Sequence, residues 1–334
     1  MASTEQSSSI ALPSEYFGAR KRRTVASVIR TSARLGRRNK LGAFGVVLVI
    51  IILSGAILSP MVKRYGDNQR FEVVNPDFNP TANPLDIAAN PDKQLGSPTL
   101  LSRWEPPFTS EHWLGTDQFG RDIYSRVIVG ARLAVIIGIG ASLIAVLSGT
   151  IVGTMSGYYG GKLDLVLQRL VDAIQAFPGL VLLMLIVSVM STPNLWITVA
   201  ALGFLGFATS VRIVRSTVLS VSQMPFVEAA RSYGADDIRL MTRHVLPNIF
   251  APVLIIFSIS IGAYILAEAS LSFLGLGPAD KTTWGKMVNA GRLAIDIHPW
   301  ESVFAGIAIT LAVLGFNLAG DAIRDELDPR LRGR

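Results

Sequence analysis

The sequence predicts an all-α integral membrane protein of six transmembrane helices, on three observations. Half of the 334 residues are hydrophobic and only 16% are charged, against about 25% charged in soluble globular chains. The mean hydropathy is +0.44. The charges are also clustered, leaving apolar blocks of roughly 20 residues, the length a helix needs to cross a bilayer. A net charge of +7 and a pI near 9.9 follow from basic residues that flank those blocks, as the positive-inside rule requires. No basic stretch is interleaved with stacking aromatics, which argues against nucleic acid as a partner and leaves membrane lipid. The chain contains no cysteine, which excludes disulfides, thiolate chemistry and zinc–cysteine sites.

Taken in order, residues 1–40 form a Ser-rich, then basic, tail with Arg20, Lys21, Arg22, Arg23, Arg30, Arg34, Arg37, Arg38 and Lys40. That tail is longer than the basic region of a cleavable signal. Residues 41–62 therefore read as an uncleaved first span with the N-terminus in the cytoplasm. Residues 63–129 form a polar loop on the outer side, with Pro76, Pro80, Pro84, Pro91, Pro98, Pro106 and Pro107. Prolines at that density favour extended or turn structure over helix. A core of five spans occupies 130–320, near 133–156, 165–190, 195–219, 249–274 and 302–320, and residues 321–334 form a cytoplasmic tail. Basic residues crowd the inner loop 220–248 and the tail, while the outer loop 275–301 also holds Lys281, Lys286 and Arg292. In the second span Ala141, Ala145, Gly149, Gly153 and Gly157 recur every four residues on one drifting face. Small residues there would let a second backbone approach closely.

The inner loop 220–248 is patterned as helix. Pro225 suits a first helical turn. Phe226, Ala229, Ala230 and Tyr233 share a face, and Gly234 can end the helix in the left-handed conformation. Asp236 can cap a second helix, and Pro247 marks the expected break at membrane re-entry. Such a helix could seat in a groove on another protein or lie on lipid headgroups.

Four ordered motifs carry a resemblance. Glu228-Ala229-Ala230, Gly234 and His244-Val245-Leu246-Pro247 resemble the EAA loop of ABC-importer permeases, with His244 where the general pattern has isoleucine. His112-Trp113-Leu114-Gly115-Thr116-Asp117 with Gly120-Arg121-Asp122 and Ser125-Arg126 is similar to a segment of the dipeptide/oligopeptide/nickel branch. So are Glu268 with Leu271 to Gly277, and Gly320-Asp321, Arg324-Asp325 and Leu327 to Arg330. The chain thus resembles a C-type permease subunit of that family from about residue 41 to residue 330. The stretch 64–108 is long for the family.

The resemblance implies the type I importer fold, placement in a prokaryotic cytoplasmic (inner) membrane, and a cytoplasmic coupling helix. Coupling to an ATPase would fall to Phe226, Glu228, Ala229, Ala230, Arg231, Gly234, Leu246 and Pro247. Gly115, Thr116, Asp117, Gly120, Arg121, Asp122 and Glu268 become candidates for an outer cap or gate. The implied partners are a second homologous permease, two cytoplasmic ATPase subunits and an extracytoplasmic solute-binding protein. ATP and magnesium would sit on the ATPases, with no cofactor or metal on this chain. Peptides are the implied solutes, with nickel complexes, glutathione or oligosaccharides as alternatives.

Read by themselves, the polar residues allow blander roles. Glu268 could line a gate or be a hydrogen-bonded structural carboxylate. Arg169 and Asp172, at i,i+3, read as a structural pair before a substrate site. Arg212 and Arg215 are expected to face headgroups or acidic residues of a partner. The Gly-Thr-Asp and Gly-Arg-Asp segment reads as a turn-rich outer cap that could make substrate-side contact or be a solvated loop whose aspartate caps a helix. His112, His244 and His298 are too scattered for a metal site. No G-x-x-x-x-G-K-S/T loop or hydrolase motif occurs in the sequence, so the subunit is not expected to be an enzyme alone. Two rival classes are an ion-coupled secondary transporter, which would need midplane charges or interrupted helices, and a membrane-embedded enzyme.

Overall fold

The computed structural model describes residues 40–79, 81, 83, 97, 99–190 and 193–327. The basic tail before Lys40, residues 80, 82, 84–96 and 98 of the proline-rich stretch, and the last part of the C-terminal motif, from Asp328, lie outside the described residues.

Apolar length dictates the architecture. Helix α1 spans Lys40–Val62. After a short two-stranded antiparallel sheet, β1 Glu72–Val74 and β2 Thr99–Leu101 with Val73 opposite Leu100, helix α2 runs Ile123–Tyr159. Then come α3 Gly161–Gln175, α4 Gly179–Ser188 and α5 Leu195–Ser222. Helix α6 is Pro225–Ser232. The three-residue α7, Asp237–Arg239, passes through a π-helical stretch, Leu240–Val245, into α8, Leu246–Phe273. Helix α9 is Trp284–Gly291 and α10 is Trp300–Leu327. Among the described residues five helical stretches are long and apolar enough to cross a membrane, and the pair α3–α4 makes a sixth if counted as one broken span.

Two expectations need correction. The third span was expected as one helix over 165–190, but it bends by 82° between α3 and α4. Pro178 stands at the break as the cap of α4 with an extended ψ of 124°; proline has no N–H to continue the α3 ladder. Pro247 was expected to interrupt the chain at membrane re-entry. It instead sits in the first turn of α8, where its missing N–H costs little, and the preceding π-helical turns keep the helix running.

The most extensive packing joins α2 to α5, along the small-residue stripe. Ala141, Ala145, Gly149, Gly153 and Gly157 are all buried. A Cβ on Gly153 would lie 2.8 Å from the Val211 carbonyl oxygen, and one on Gly157 would lie 2.9 Å from that of Arg215. The two backbones therefore touch, which only glycine permits. A second core, with Ile261, Ile265, Trp284, Met287, Ala305 and Phe316, joins α2, α8, α9 and α10.

Candidate functional site

Two regions at opposite ends of α2 gather the residues singled out by sequence. At the first, the Gly-Thr-Asp-x-x-Gly-Arg-Asp segment folds into a tight cap over the start of α2. Gly115 and Gly120 adopt φ of 82° and 68°, which side-chain-bearing residues avoid. Thr116 is buried; its hydroxyl donates to the Ser102 carbonyl at 2.6 Å and accepts from the Glu105 N–H at 2.9 Å. The buried Asp117 carboxylate accepts from the backbone N–H groups of Phe119 and Arg121, at 2.8 and 2.9 Å, and pairs with the Arg121 side chain at 2.7 Å.

Asp122 is the N-cap of α2. One oxygen accepts from the Ser125 N–H at 2.8 Å and the other lies 2.9 Å from His112 Nδ1. These contacts make the segment a structural cap rather than an open loop. Removing an aspartate N-cap costs about 1–2 kcal/mol, and here it also strands a buried imidazole. Asp122→Ala should lower the melting temperature of the purified protein clearly, and Asp122→Asn much less, read by thermal size-exclusion.

Glu268 is buried in α8 and accepts from the Ser272 hydroxyl at 2.5 Å. Nearby Lys286 donates to the carbonyls of Pro278, Ala279 and Lys281, tying down the loop before α9. Burial holds the Lys286 ammonium below its usual pKa, with the Glu268 charge opposing. In this structure Glu268 is a buried, hydrogen-bonded carboxylate.

At the other end of α2 lies the loop between α5 and α8. Helix α6 starts at Pro225 and ends in a Schellman motif: the Gly234 N–H donates to Arg231 O at 2.9 Å and the Ala235 N–H to Ala230 O at 3.2 Å, with Gly234 at φ 82°. Val227 is buried and anchors the helix, whereas Phe226, Glu228, Ala229 and Arg231 are exposed and Ala230 is half-buried. Tyr233 is 93% exposed. Asp236 caps α7 without a side-chain hydrogen bond. Leu246 and Pro247 lie apart from this face, at the start of α8.

Sequence reasoning missed Tyr158, near the end of α2. Its hydroxyl donates to Asp237 at 2.7 Å, and the Arg231 guanidinium sits 5.9 Å from the ring centre. The partners are 79 residues apart, so no local pattern could have found them. Sequence reasoning also missed the intrachain partners of Arg212 and Arg215: Arg212 pairs with Asp172 at 2.6 Å and Arg215 with Asp164 at 2.5 Å. Arg169 lies 3.9 Å from Asp172.

A model of the family described as "Binding-protein-dependent transport system inner membrane component" matches residues 149–333, more than half of the chain. The chain belongs to this permease family. The oligopeptide transport system permease protein OppC of Bacillus subtilis is 34% identical over 297 residues, 89% of this chain and 88% of that protein. The dipeptide transport system permease protein DppC of Alkalihalophilus pseudofirmus is 34% identical, covering 92% of each chain. The glutathione transport system permease protein GsiD of Pectobacterium atrosepticum is 41% identical over 67% of this chain and 74% of its own.

A solved structure described as an amino acid ABC transporter with histidines superposes with a TM-score of 0.50 at 20% identity, covering 61% of the permease and 95% of that chain. At that identity the likeness bears on the fold alone. The protein is therefore a multi-pass permease of the ABC-importer class. The broken third span, which the ion-coupled alternative would also have displayed, is a feature of this permease.

Proposed function

We propose that the permease forms one half of the translocation pathway of a heteromeric importer for peptides or similar small solutes. The substrate class follows the oligopeptide, dipeptide and glutathione permeases to which it is similar. Its partners are a second homologous permease, two cytoplasmic ATPases that carry ATP and magnesium, and an extracytoplasmic solute-binding protein. Both termini and the loop 220–248 lie in the cytoplasm, and the cap over α2 lies outside.

The reading is carried by α6. A short helix anchored by one buried valine presents a small, largely exposed face with Glu228, Ala229 and Tyr233. Its angle is fixed by the Gly234 turn and by the contacts of Tyr158. Such a face suits a cleft on a partner that pulls on it. ATP binding would then bias the pathway between two discrete states.

The absence of native cysteine makes the test direct. Ala229→Cys in the otherwise unchanged permease, treated in native membranes with a short thiol–amine crosslinker, should trap an ATPase subunit. Crosslinking that yields only lipid-modified or unmodified permease, or that requires reagent on the outer surface, would defeat the proposal.

A further inference from the structure

At the bend of the third span, Gln175, Phe177, Leu205, Thr209, Arg212 and Ile213 line a cavity of roughly 460 Å³. Its volume falls within the range of small-molecule sites. The lining combines apolar side chains with a guanidinium, a hydroxyl and an amide. Arg212 is 49% exposed and its partner Asp172 is 46% exposed.

Depth gives this exposure its meaning. Helix α5 has 28 residues, about 42 Å at 1.5 Å per residue, and Arg212 lies about 5 Å along the axis from its midpoint. A bilayer core is about 30 Å thick, so with α5 centred in it a half-exposed guanidinium at that level would face acyl chains only at a large penalty. We take it to face an aqueous path. The charge there is also unbalanced, because Arg169 and Arg212 share the single carboxylate of Asp172. One positive charge is left over at the wall of the recess.

The geometry points to this cavity as a transient binding site on the translocation path for a carboxylate-bearing solute, such as the C-terminal carboxylate of a short peptide. Arg212 receives the carboxylate, for which a guanidinium is well shaped. Gln175 and Thr209 offer hydrogen bonds, and Phe177, Leu205 and Ile213 take an apolar side chain. Asp172 keeps the site weak enough to release its cargo. This rests on the transport role proposed above and adds to it the place and the charge selectivity.

Thr209→Cys puts the first thiol into this subunit, at the cavity wall. In the assembled importer in membrane vesicles, it is labelled with two methanethiosulfonates of similar size, one bearing a sulfonate and one a trimethylammonium. Each rate is normalised to that with free 2-mercaptoethanol. Both should react, the anionic reagent faster by about three- to tenfold through local charge. Arg212→Gln should abolish that preference and Arg212→Lys should preserve it. Millimolar trialanine should slow the labelling and trialanine amide should not.

Absence of reaction, a preference for the cation, a preference indifferent to Arg212→Gln, or equal effects of the two peptides would each overturn the site. Labelling needs no ATP hydrolysis. Failure of the ATPase coupling would therefore appear in the Ala229→Cys crosslink and leave this result standing.

Discussion

Gly234→Val should cut uptake sharply while leaving the permease folded and in the membrane. Gly234 closes α6 at φ 82°, and a Cβ placed there would meet no atom within 4 Å. The cost is therefore purely one of backbone conformation. A left-handed residue other than glycine costs about 1–2 kcal/mol, more with β-branching, and the cheapest relief is to unwind the last turn of α6. That turn carries the exposed face and the Arg231 contact with Tyr158. Uptake should drop on the order of tenfold or more, and ATP hydrolysis by the assembled complex should lose its stimulation by loaded binding protein. Asparagine tolerates the left-handed region, so Gly234→Asn should retain most of both activities. If Gly234→Val transports as well as the unsubstituted protein, α6 is not the element the motor grips.

The second large effect is expected at the α2–α5 contact, and it is on stability. In Gly153→Val the new side chain would start 2.8 Å from a backbone carbonyl and 2.9 Å from the Val214 Cβ. Neither is the far end of a flexible chain, so the helices must separate. Overpacking of this kind costs about 1–3 kcal/mol or more, and separation would also disturb the Arg215–Asp164 pair nearby. The expected outcome is a sharp fall in membrane-inserted protein and in melting temperature, measured by fluorescence-detected size exclusion. Gly306→Val is the control, since a Cβ there meets nothing within 4 Å; it should behave as wild type. Equal stability of the two variants would mean that the stripe does not hold the helices together.

Much of this was legible from sequence because local chemistry decides it. Apolar length located the spans. Pro225 and Gly234 bracketed α6, and the four-residue recurrence of small side chains marked where backbones meet. That an aspartate of the outer segment caps a helix was one of two readings open from the sequence, and Asp122 is that residue. What escaped the reading is tertiary. The hydropathy of 165–190 averages over a polar-faced α3 and an apolar α4, and so conceals the bend that Pro178 makes. The partners of Arg212 and Arg215 lie 40 and 51 residues away. A cationic side chain in the inner half of a span looks the same in sequence whether it reaches headgroups or a carboxylate on the next helix. Pro247 misled for another reason: a π-helical register absorbs the irregularity that would otherwise break the helix.

Helix α2 is an unbroken strut of 37 residues, about 55 Å long at 1.5 Å per residue. Its head is pinned beneath the Asp122 cap and its foot is fastened by Tyr158 to the loop behind α6. A rotation of about 5° pivoted at one end sweeps the other through about 5 Å. Under the proposed coupling, rocking imposed on the foot would not stay local but would be carried to the head of the strut.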